Sequence, residues 1–450
     1  MNKKHQNYFN SLVKEILEFE KRNNLLELNI EGVFVWQSLR TVINEKLQSE
    51  LANSSLFSNK KPSLFKVFKN YRSYLYLFKA LTFDNPYWDR KRFDIIIFES
   101  SRVYNVDGEF VDIYTHYLID DIKSQDISYT IYQENYLTNL FLKRNCKKYS
   151  IEILNFLNKF RNKSLVLISN DQLDKIDYLT KKISELFGVK IDLKALFITE
   201  IKKFKLEYKF YLKLLKRKRT KGIYFIANNK KSALIKAAKD LGITTTEIQH
   251  GLMVNKDLIY HFPYTEENTL EYFPDRFFVW DKTIITAKLP ISEDKIIEYG
   301  NKYLDNRVSK FREVRKKGNQ ILVISQPTLT NEITNYFVRV MDELKSYRVV
   351  YKMHPVEESR AHSISNFDLL KVYPNFCTVG NEVSTYYLLA ESKYVIGVYS
   401  TAMYEATFFS CKIGLLNLPG VELLDHIMNN PFVRLFDMNV SFTENLQSFE

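Results

Sequence analysis

The chain has 450 residues and a mass of 53.5 kDa, a length that favours two domains of roughly 150 to 250 residues over a single core. Hydrophobic residues make up 45% of it, and no apolar run approaches the ~20 residues of a membrane span. The three cysteines, Cys146, Cys377 and Cys411, lack the spacing of zinc ligands. We therefore predict a reducing compartment and no structural metal.

The net charge of +12 is typical of proteins with anionic partners. Basic and aromatic residues concentrate in residues 59–72 and 202–219, which predicts two basic amphipathic helices. Either an anionic membrane surface or ordinary solvated helix faces would explain them. No nucleic-acid-binding signature is present, so no nucleic acid is expected. Residues 1–7 are polar and lack the apolar segment of a signal peptide, which predicts a cytoplasmic protein, at most peripheral on the inner face of the plasma membrane.

In chain order, residues up to about 81 have the apolar spacing of helices. Strands are then predicted at 93–99, 128–132 and 165–169, with a polar turn at 105–109 and a helix over 112–122. Beyond the basic helix near 200–219, strands at 222–227, 244–249, 276–280 and 296–301 alternate with a helix over 230–241.

A polar and then basic segment, 304–317, is predicted to be a linker. The pattern restarts with strands at 320–327, 349–355, 376–379, 394–401 and 412–418, and with helices over 331–344 and 384–390 and from about 403. Alternating strands and helices predict right-handed βαβ units with parallel sheets. The predicted fold is α/β, with two Rossmann-like doubly wound domains, 1–310 and 311–450, that face a cleft. No GxGxxG or Walker A motif is present, which argues against NAD(P) and P-loop chemistry.

Two strand ends in the second half carry side chains suited to a phosphate. Pro355 keeps His354 extended and stops the strand, and alternation places Lys352 and His354 on one face. Ser400 and Thr401 follow a second strand. Because ligands of open α/β sheets bind at the carboxyl ends of the strands, we predict that these residues line one pocket.

The second half resembles the nucleotide-binding domain of GT-B glycosyltransferases of bacterial capsule and surface polysaccharide pathways. The matching segments are Ser325-Gln326-Pro327, Lys352-Met353-His354-Pro355, Tyr399-Ser400-Thr401, Glu405-Ala406 and Leu415-Leu416-Asn417. The sequence also resembles bacterial sialyltransferases and polysialyltransferases, which carry a His-Pro pair followed by a Ser-Ser or Ser-Thr turn. Related patterns occur in Kdo transferases. The resemblance covers about residues 220–430.

The resemblance implies a metal-independent glycosyltransferase without a cofactor, whose substrates are a nucleotide-sugar donor and a glycan or lipid-linked glycan acceptor. It favours a CMP-sugar such as sialic acid or Kdo and leaves UDP or CDP donors open. It implies donor binding by Gln326, Lys352, His354, Pro355, Ser400, Thr401 and Glu405, with Glu405 accepting from ribose hydroxyls.

In the first half, Gln249-His250-Gly251 ends a predicted strand and places His250 where a ligand can approach the backbone closely. We predict catalytic roles for Asp107, His250 and His354, with Asp107 as the acceptor base and Glu99 as a further candidate. Sialyltransferases of this type carry two acids before glycine, but here Val106 precedes Asp107-Gly108. His116 and His261 are predicted to be structural.

Two alternatives remain open. A non-hydrolysing sugar-nucleotide 2-epimerase shares the two-domain fold and needs no acceptor. A non-catalytic polysaccharide-assembly protein with this fold need not bind a nucleotide at all.

Overall fold

The computed structural model describes residues 3–51, 78–100, 103–106, 108–133, 148–151, 154, 166–358 and 361–449. Two compact units divide the chain, one of residues 16–300 and one of residues 301–450 together with 1–15. Helix α1 (Lys3–Arg22) contains the first boundary. The predicted linker begins as helix α7 (Lys302–Lys310), because the Asn301 side chain accepts a hydrogen bond from Leu304 N at 3.1 Å and caps it.

The unit of residues 16–300 contains a parallel sheet, for which the described residues supply seven strands. They are β3 (Ile95–Glu99), β6 (Tyr129–Gln133), β7 (Lys148–Ser150), β8 (Gly222–Ile226), β9 (Thr244–Ile248), β10 (Arg276–Val279) and β11 (Ile296–Glu298). The strand order is β7-β6-β3-β8-β9-β10-β11, with every pairing parallel. In sheet numbering this is 3-2-1-4-5-6-7, the Rossmann order with one strand added.

The centre of this sheet is apolar. Ile97, Ile131, Ile226 and Ile248 come from four of its strands and pack in one buried cluster with helix α3 (His116–Ser124). Continuous apolar runs of this kind are typical of strands buried on both faces. Two hairpins accompany the sheet, β1 (Asn29–Ile30) with β2 (Val33–Phe34) and β4 (Val103–Val106) with β5 (Glu109–Asp112).

Three of this unit's helices are α2 (Val35–Leu51), α4 (Asn170–Phe187) and α6 (Ser232–Lys239). The strand predicted at 165–169 is wrong over its described part, because Ser169 forms a capping box with Gln172 and starts α4.

Helix α5 (Leu193–Lys218) is the basic helix of the sequence. One of its predicted solvated cations, Lys218, is fully buried. The other predicted basic segment, 59–72, lies outside the described residues, and so does the candidate base Asp107. No described helix is long and apolar enough to cross a membrane.

The second unit also contains a parallel sheet. Its strands in the described chain are β12 (Lys317–Ile324), β13 (Arg348–Lys352), β14 (Phe376–Val379), β15 (Ser392–Gly397), β16 (Lys412–Leu416) and β17 (Val433–Phe436). The order β14-β13-β12-β15-β16-β17 is again 3-2-1-4-5-6 in sheet numbering. The predicted α/β class with two Rossmann-like parallel sheets is confirmed.

The remaining helices of this unit are short, and most of them start soon after a strand ends. They are α8 (Thr330–Val340), α9 (Pro355–Glu358), α10 (Asn366–Leu370), α11 (Thr385–Glu391), α12 (Thr401–Glu405) and α13 (Phe442–Gln447). The chain reverses its direction of strand addition between β12 and β15. Ligands of open α/β sheets bind in the crevice at such a reversal, outside the carboxyl ends of the strands.

Candidate active site

In the second unit, the turn after β12 is hydrogen-bonded to the ends of β13 and β15. These are the two strand ends that carry the predicted phosphate-binding residues. Ser325 Oγ accepts a 2.7 Å hydrogen bond from the backbone N–H of His354, after β13. Three residues further on, the Thr328 hydroxyl lies 2.6 Å from the hydroxyl of Tyr399, after β15. The ends of β12, β13 and β15 therefore form one hydrogen-bonded edge at the reversal of strand order.

His354 is exposed at this edge. Its ring Nδ1 accepts a 3.2 Å hydrogen bond from the backbone N–H of Val356. A neutral imidazole whose Nδ1 is an acceptor carries its proton on Nε2. The turn made by Pro355 thus selects the tautomer with an Nε2–H donor, which is the form that suits a phosphate oxygen.

Glu357 holds this turn in place, a role that the sequence analysis missed. Its side chain is fully buried. One carboxylate oxygen accepts from the His354 backbone N–H at 3.0 Å, and the other accepts from the hydroxyls of Thr330 and Tyr351. A buried carboxylate with several donors is a rigid support, because each lost bond would leave a buried polar group unsatisfied.

Lys352 occupies a different environment from the one its strand position suggested. The side chain is 8% exposed, and Nζ donates to the backbone carbonyl of Gly380, after β14. Burial lowers the pKa of Lys352, and the nearby carboxylates of Glu382 and Glu358 oppose that shift. The ammonium therefore contacts the β14 side of the sheet, and phosphate binding by Lys352 stays a prediction.

The hydroxyls of Ser400 and Thr401 lie at the start of α12, two residues before the start that the sequence predicted. Ser400 Oγ accepts from Ala402 N at 3.3 Å and caps this helix. The preceding Tyr399 packs against Gly420, where an added Cβ would lie 2.5 Å from the tyrosine ring. Gly420 also has a φ of +94°, which a residue with a side chain rarely adopts.

Glu405 is half-buried on α12. Its carboxylate accepts a 3.1 Å hydrogen bond from the Tyr386 hydroxyl. Burial raises the pKa of Glu405 to about 7, and the bond from Tyr386 opposes the shift. This carboxyl can hold or release a proton near neutral pH, and when ionised it can accept from ribose hydroxyls.

In the first unit, two buried carboxyls lie at the end of β3, next to the reversal between β3 and β8. Glu99 is paired with Lys148 Nζ at 2.5 Å. Asp112 accepts from both the N–H and the hydroxyl of Ser100, at 2.8 and 2.6 Å. Burial, followed by the negative charge of Glu99, raises the pKa of Asp112.

His250 follows β9 at the same edge and is half-buried. Its Nδ1 lies 3.4 Å from the hydroxyl of Tyr260, and that hydroxyl donates a 2.6 Å hydrogen bond to Glu247 Oε1. Glu247 is fully buried, and burial raises its pKa to about 8. Glu247, Tyr260 and His250 therefore form a line of groups along which a proton can be held or exchanged.

The two groups of the first unit are neighbours through Tyr114. Its backbone N–H donates to Asp112 Oδ1 at 3.0 Å, and its ring lies edge-on to the ring of His250 with centroids 6.2 Å apart. The structure thus brings together the predicted residues Glu99 and His250 and adds Asp112, Tyr260 and Glu247. An acid inside a buried strand, as in Thr-Thr-Thr-Glu-Ile, was the signal that would have identified Glu247.

A polar pocket opens at the surface of the first unit. Its polar wall includes Gln37, Thr41 and Asn228, and Tyr272 and Phe273 supply an aromatic wall. The buried Nδ2 of Asn228 has no hydrogen-bond partner among the described residues. A pocket lined by amide, hydroxyl and aromatic side chains suits a hydroxylated ligand such as a sugar.

No group of three or more His, Cys, Asp or Glu side chains in the described chain is arranged to hold a metal ion. No protein-family model matches the sequence, and no curated protein matches it either.

Solved structures with a similar fold include two UDP-GlcNAc 2-epimerases. The enzyme from Methanocaldococcus jannaschii is 14% identical, with 79% of this chain and 91% of that chain covered and a TM-score of 0.48. The enzyme from Neisseria meningitidis, bound to UDP-GlcNAc, is 14% identical over 79% and 90%, with a TM-score of 0.46. The glycotransferase of kitacinnamycin is 10% identical over 79% and 89%, with a TM-score of 0.45. At these identities the similarity concerns the fold alone.

Proposed function

We propose that the protein is an enzyme acting on a nucleotide-activated sugar, with the nucleotide bound by the second unit. The observation that carries the proposal is the hydrogen-bonded edge at the reversal of its sheet, where His354 and the Ser400-Thr401 turn flank the turn after β12. The Nε2–H of His354 and the two hydroxyls would donate to the phosphates, and Glu405 would accept from the ribose. Donors that contact the leaving phosphate stabilise its developing charge.

Two groups of the first unit are our candidates for proton exchange with a sugar. His250, oriented by Tyr260, is our candidate base, and Asp112 is our candidate acid because burial favours its protonated form. Asp107 stays a candidate base on sequence grounds.

Two reactions begin by breaking the bond between the anomeric carbon and the phosphate. Glycosyl transfer needs one base, which takes the proton of the acceptor hydroxyl. Epimerisation at C2 needs one group to remove the C2 proton and another to return a proton on the opposite face, while the released phosphate bonds again to the anomeric carbon. The presence at one edge of both a candidate base and a candidate acid with a raised pKa favours 2-epimerisation. Glycosyl transfer, with a CMP-sugar among the possible donors, is the second candidate on the sequence motifs.

The test is to incubate the full chain with single sugar nucleotides in D₂O and to follow the products by NMR. A 2-epimerase converts UDP-GlcNAc without an acceptor and places deuterium at C2. A glycosyltransferase leaves C2 unlabelled and consumes its UDP, CMP or CDP donor only with an acceptor or by slow hydrolysis. Calorimetry that detects no binding of UDP-, CMP- or CDP-sugars would overturn the proposal and would support a non-catalytic role.

A further inference from the structure

Three large aromatic side chains of the first unit are exposed within a short stretch of chain. Phe78 is 59% exposed, Phe83 is 72% exposed and Trp88 is 70% exposed. Burying such a side chain is worth roughly 1.5–3 kcal/mol, so three of them exposed together indicate a surface that another body covers.

These side chains are held in place rather than projecting from a loose loop. The rings of Phe78 and Phe83 pack edge to face, with centroids 6.4 Å apart. The indole Nε1–H of Trp88 donates a 3.2 Å hydrogen bond to the carbonyl of Leu81. The three rings therefore belong to one compact turn.

The residues on either side of Trp88 are anchored to the carboxyl end of α5. The Tyr87 hydroxyl donates to the carbonyl of Phe210 at 2.7 Å, and the two rings are 5.0 Å apart. Buried Lys218 donates to the backbone and side-chain oxygens of Asp89 at 2.8 and 3.0 Å. The exposed rings thus lie beside the most basic end of that helix.

Exposed cations follow Trp88 in sequence and also lie at the end of α5 to which the turn is anchored. We define the aromatic–basic patch as the three rings together with seven exposed cations. Three of the cations follow Trp88, namely Arg90, Lys91 and Arg92. The other four lie on and just after the last turns of α5, namely Lys213, Lys216, Arg217 and Arg219. The acids nearest in sequence are already matched, Asp89 by Lys218 at 3.0 Å and Asp94 by Lys221 at 2.7 Å. The patch is therefore strongly positive.

We propose that the aromatic–basic patch docks the first unit on the surface of an anionic lipid bilayer. Trp side chains favour the interfacial region of a membrane, where the ring is partly desolvated and the indole N–H stays hydrated. Phe side chains insert at the boundary between headgroups and acyl chains on surfaces that are otherwise basic. Each basic residue close to an anionic surface adds about 1 kcal/mol of attraction. Exposed rings and exposed cations occur together at this turn and at the end of α5 that anchors it. This combination fits headgroups above an apolar layer better than it fits a folded protein. This surface differs from the basic helix that the sequence predicted over 202–219. Lys218 of that helix is buried, and the exposed rings of Phe78, Phe83 and Trp88 lie outside it.

Sedimentation with vesicles tests this proposal on the full chain. We expect binding to vesicles of phosphatidylcholine with phosphatidylglycerol, weak binding to phosphatidylcholine alone, and loss of binding as salt screens the charges. Phe83→Ser with Trp88→Ser should lower the partition coefficient at least tenfold. Lys213→Gln, Lys216→Gln and Arg217→Gln together should lower it by about a hundredfold.

Matched controls separate the patch from net charge and net hydrophobicity. Lys310→Gln, Arg312→Gln and Arg315→Gln remove the same charge from exposed positions of the second unit. Tyr264→Ser with Phe432→Ser removes two exposed aromatic rings elsewhere, 52% and 49% exposed. Both controls should bind as the wild type does. Equal loss in patch and control variants, or no binding by the wild type, would overturn the proposal.

Tryptophan fluorescence gives a second measurement, because Trp36 is buried and Trp88 is the most exposed of the three tryptophans. Vesicles should shift the emission to shorter wavelength, and brominated lipid should quench it. Trp88→Phe should abolish both changes while keeping binding. Emission changes that survive Trp88→Phe, or tight binding of a single-stranded oligonucleotide in competition with vesicles, would refute lipid docking.

Discussion

The hydroxyl of Tyr260 donates a 2.6 Å hydrogen bond to Oε1 of Glu247, and both side chains are buried at the carboxyl edge of the first sheet. The same hydroxyl lies 3.4 Å from Nδ1 of His250. A residue that acts through another should alter proton exchange more than it alters substrate binding. This relationship leads to the first prediction.

Tyr260→Phe removes the hydroxyl and keeps the ring that packs on Phe277 at 6.0 Å. We expect turnover of the sugar nucleotide to fall by about tenfold or more with little change in KM, because His250 loses its orienting partner. The pH dependence of kcat should shift as well. Tyr208→Phe is the control, since its hydroxyl donates to Asp240 at 2.7 Å in the same unit. An unchanged kcat and pH profile would rule out Tyr260 as a residue that positions His250.

Glu247→Gln tests the protonation of the buried acid. Because burial raises the pKa of Glu247 from 4.5 to about 8, the folded protein holds this proton more tightly than the unfolded chain does. Its contribution is fully favourable below pH 4.5 and is lost as the pH rises to 8, by at most 1.36 kcal/mol per pH unit. Glutamine does not titrate, so the variant should gain stability relative to the wild type across this window.

Urea denaturation of both proteins at pH 5, 6.5, 8 and 9 measures the difference. It should grow up to about pH 8 and then level off. Asp112 and Asp257 also have raised pKa values. Both residues are present in the wild type and in the variant, so their contributions to the pH dependence of stability largely cancel in the difference. A difference that does not vary with pH would mean that Glu247 is ionised in the folded protein.

The fold was more predictable than the site. Buried strands such as β3 and β12 carry continuous apolar runs, and alternation with helices specifies parallel pairing. The short edge strands β7 and β17 were missed, because three- and four-residue strands carry little periodicity. Helix α7 was missed because its residues are mostly polar.

Side-chain roles depended on distant partners that periodicity does not encode. His354 and Ser400 were identified because a proline or a helix start marks them locally. Lys352 shares the strand end with His354, yet its ammonium contacts the Gly380 carbonyl. Glu357 supports the same turn through contacts with Thr330 and Tyr351, and no local pattern announces such a role.

His354→Ala tests the nucleotide site. A hydrogen bond to a charged phosphate is worth ~1.5–3 kcal/mol, so we expect a ten- to hundredfold loss of nucleotide affinity by calorimetry. Folding should be unaffected because the ring is exposed. His362→Ala, an exposed histidine of the same unit, should bind as tightly as the wild type. Equal affinity in both variants would place the phosphate elsewhere.

Gly420→Ala tests whether the packing behind Tyr399 supports the nucleotide site. A Cβ at this position would lie 2.5 Å from the Tyr399 ring, and the φ of +94° is strained for alanine. Tyr399 would have to move, and its 2.6 Å hydrogen bond with Thr328 would break. We expect the free energy of unfolding to fall by about 1–3 kcal/mol and nucleotide affinity to fall with it.

Gly318→Ala in β12 is the matched control, because no heavy atom lies within 4 Å of an added Cβ there. It should be as stable as the wild type or slightly more stable, since alanine lowers the entropy of the unfolded chain. Thr328→Val breaks the same hydrogen bond without filling the space, and should reproduce the loss of affinity with a smaller loss of stability. If Gly420→Ala lowers stability and leaves nucleotide binding intact, the Tyr399 side of the turn is structural and phosphate recognition rests on the His354 side.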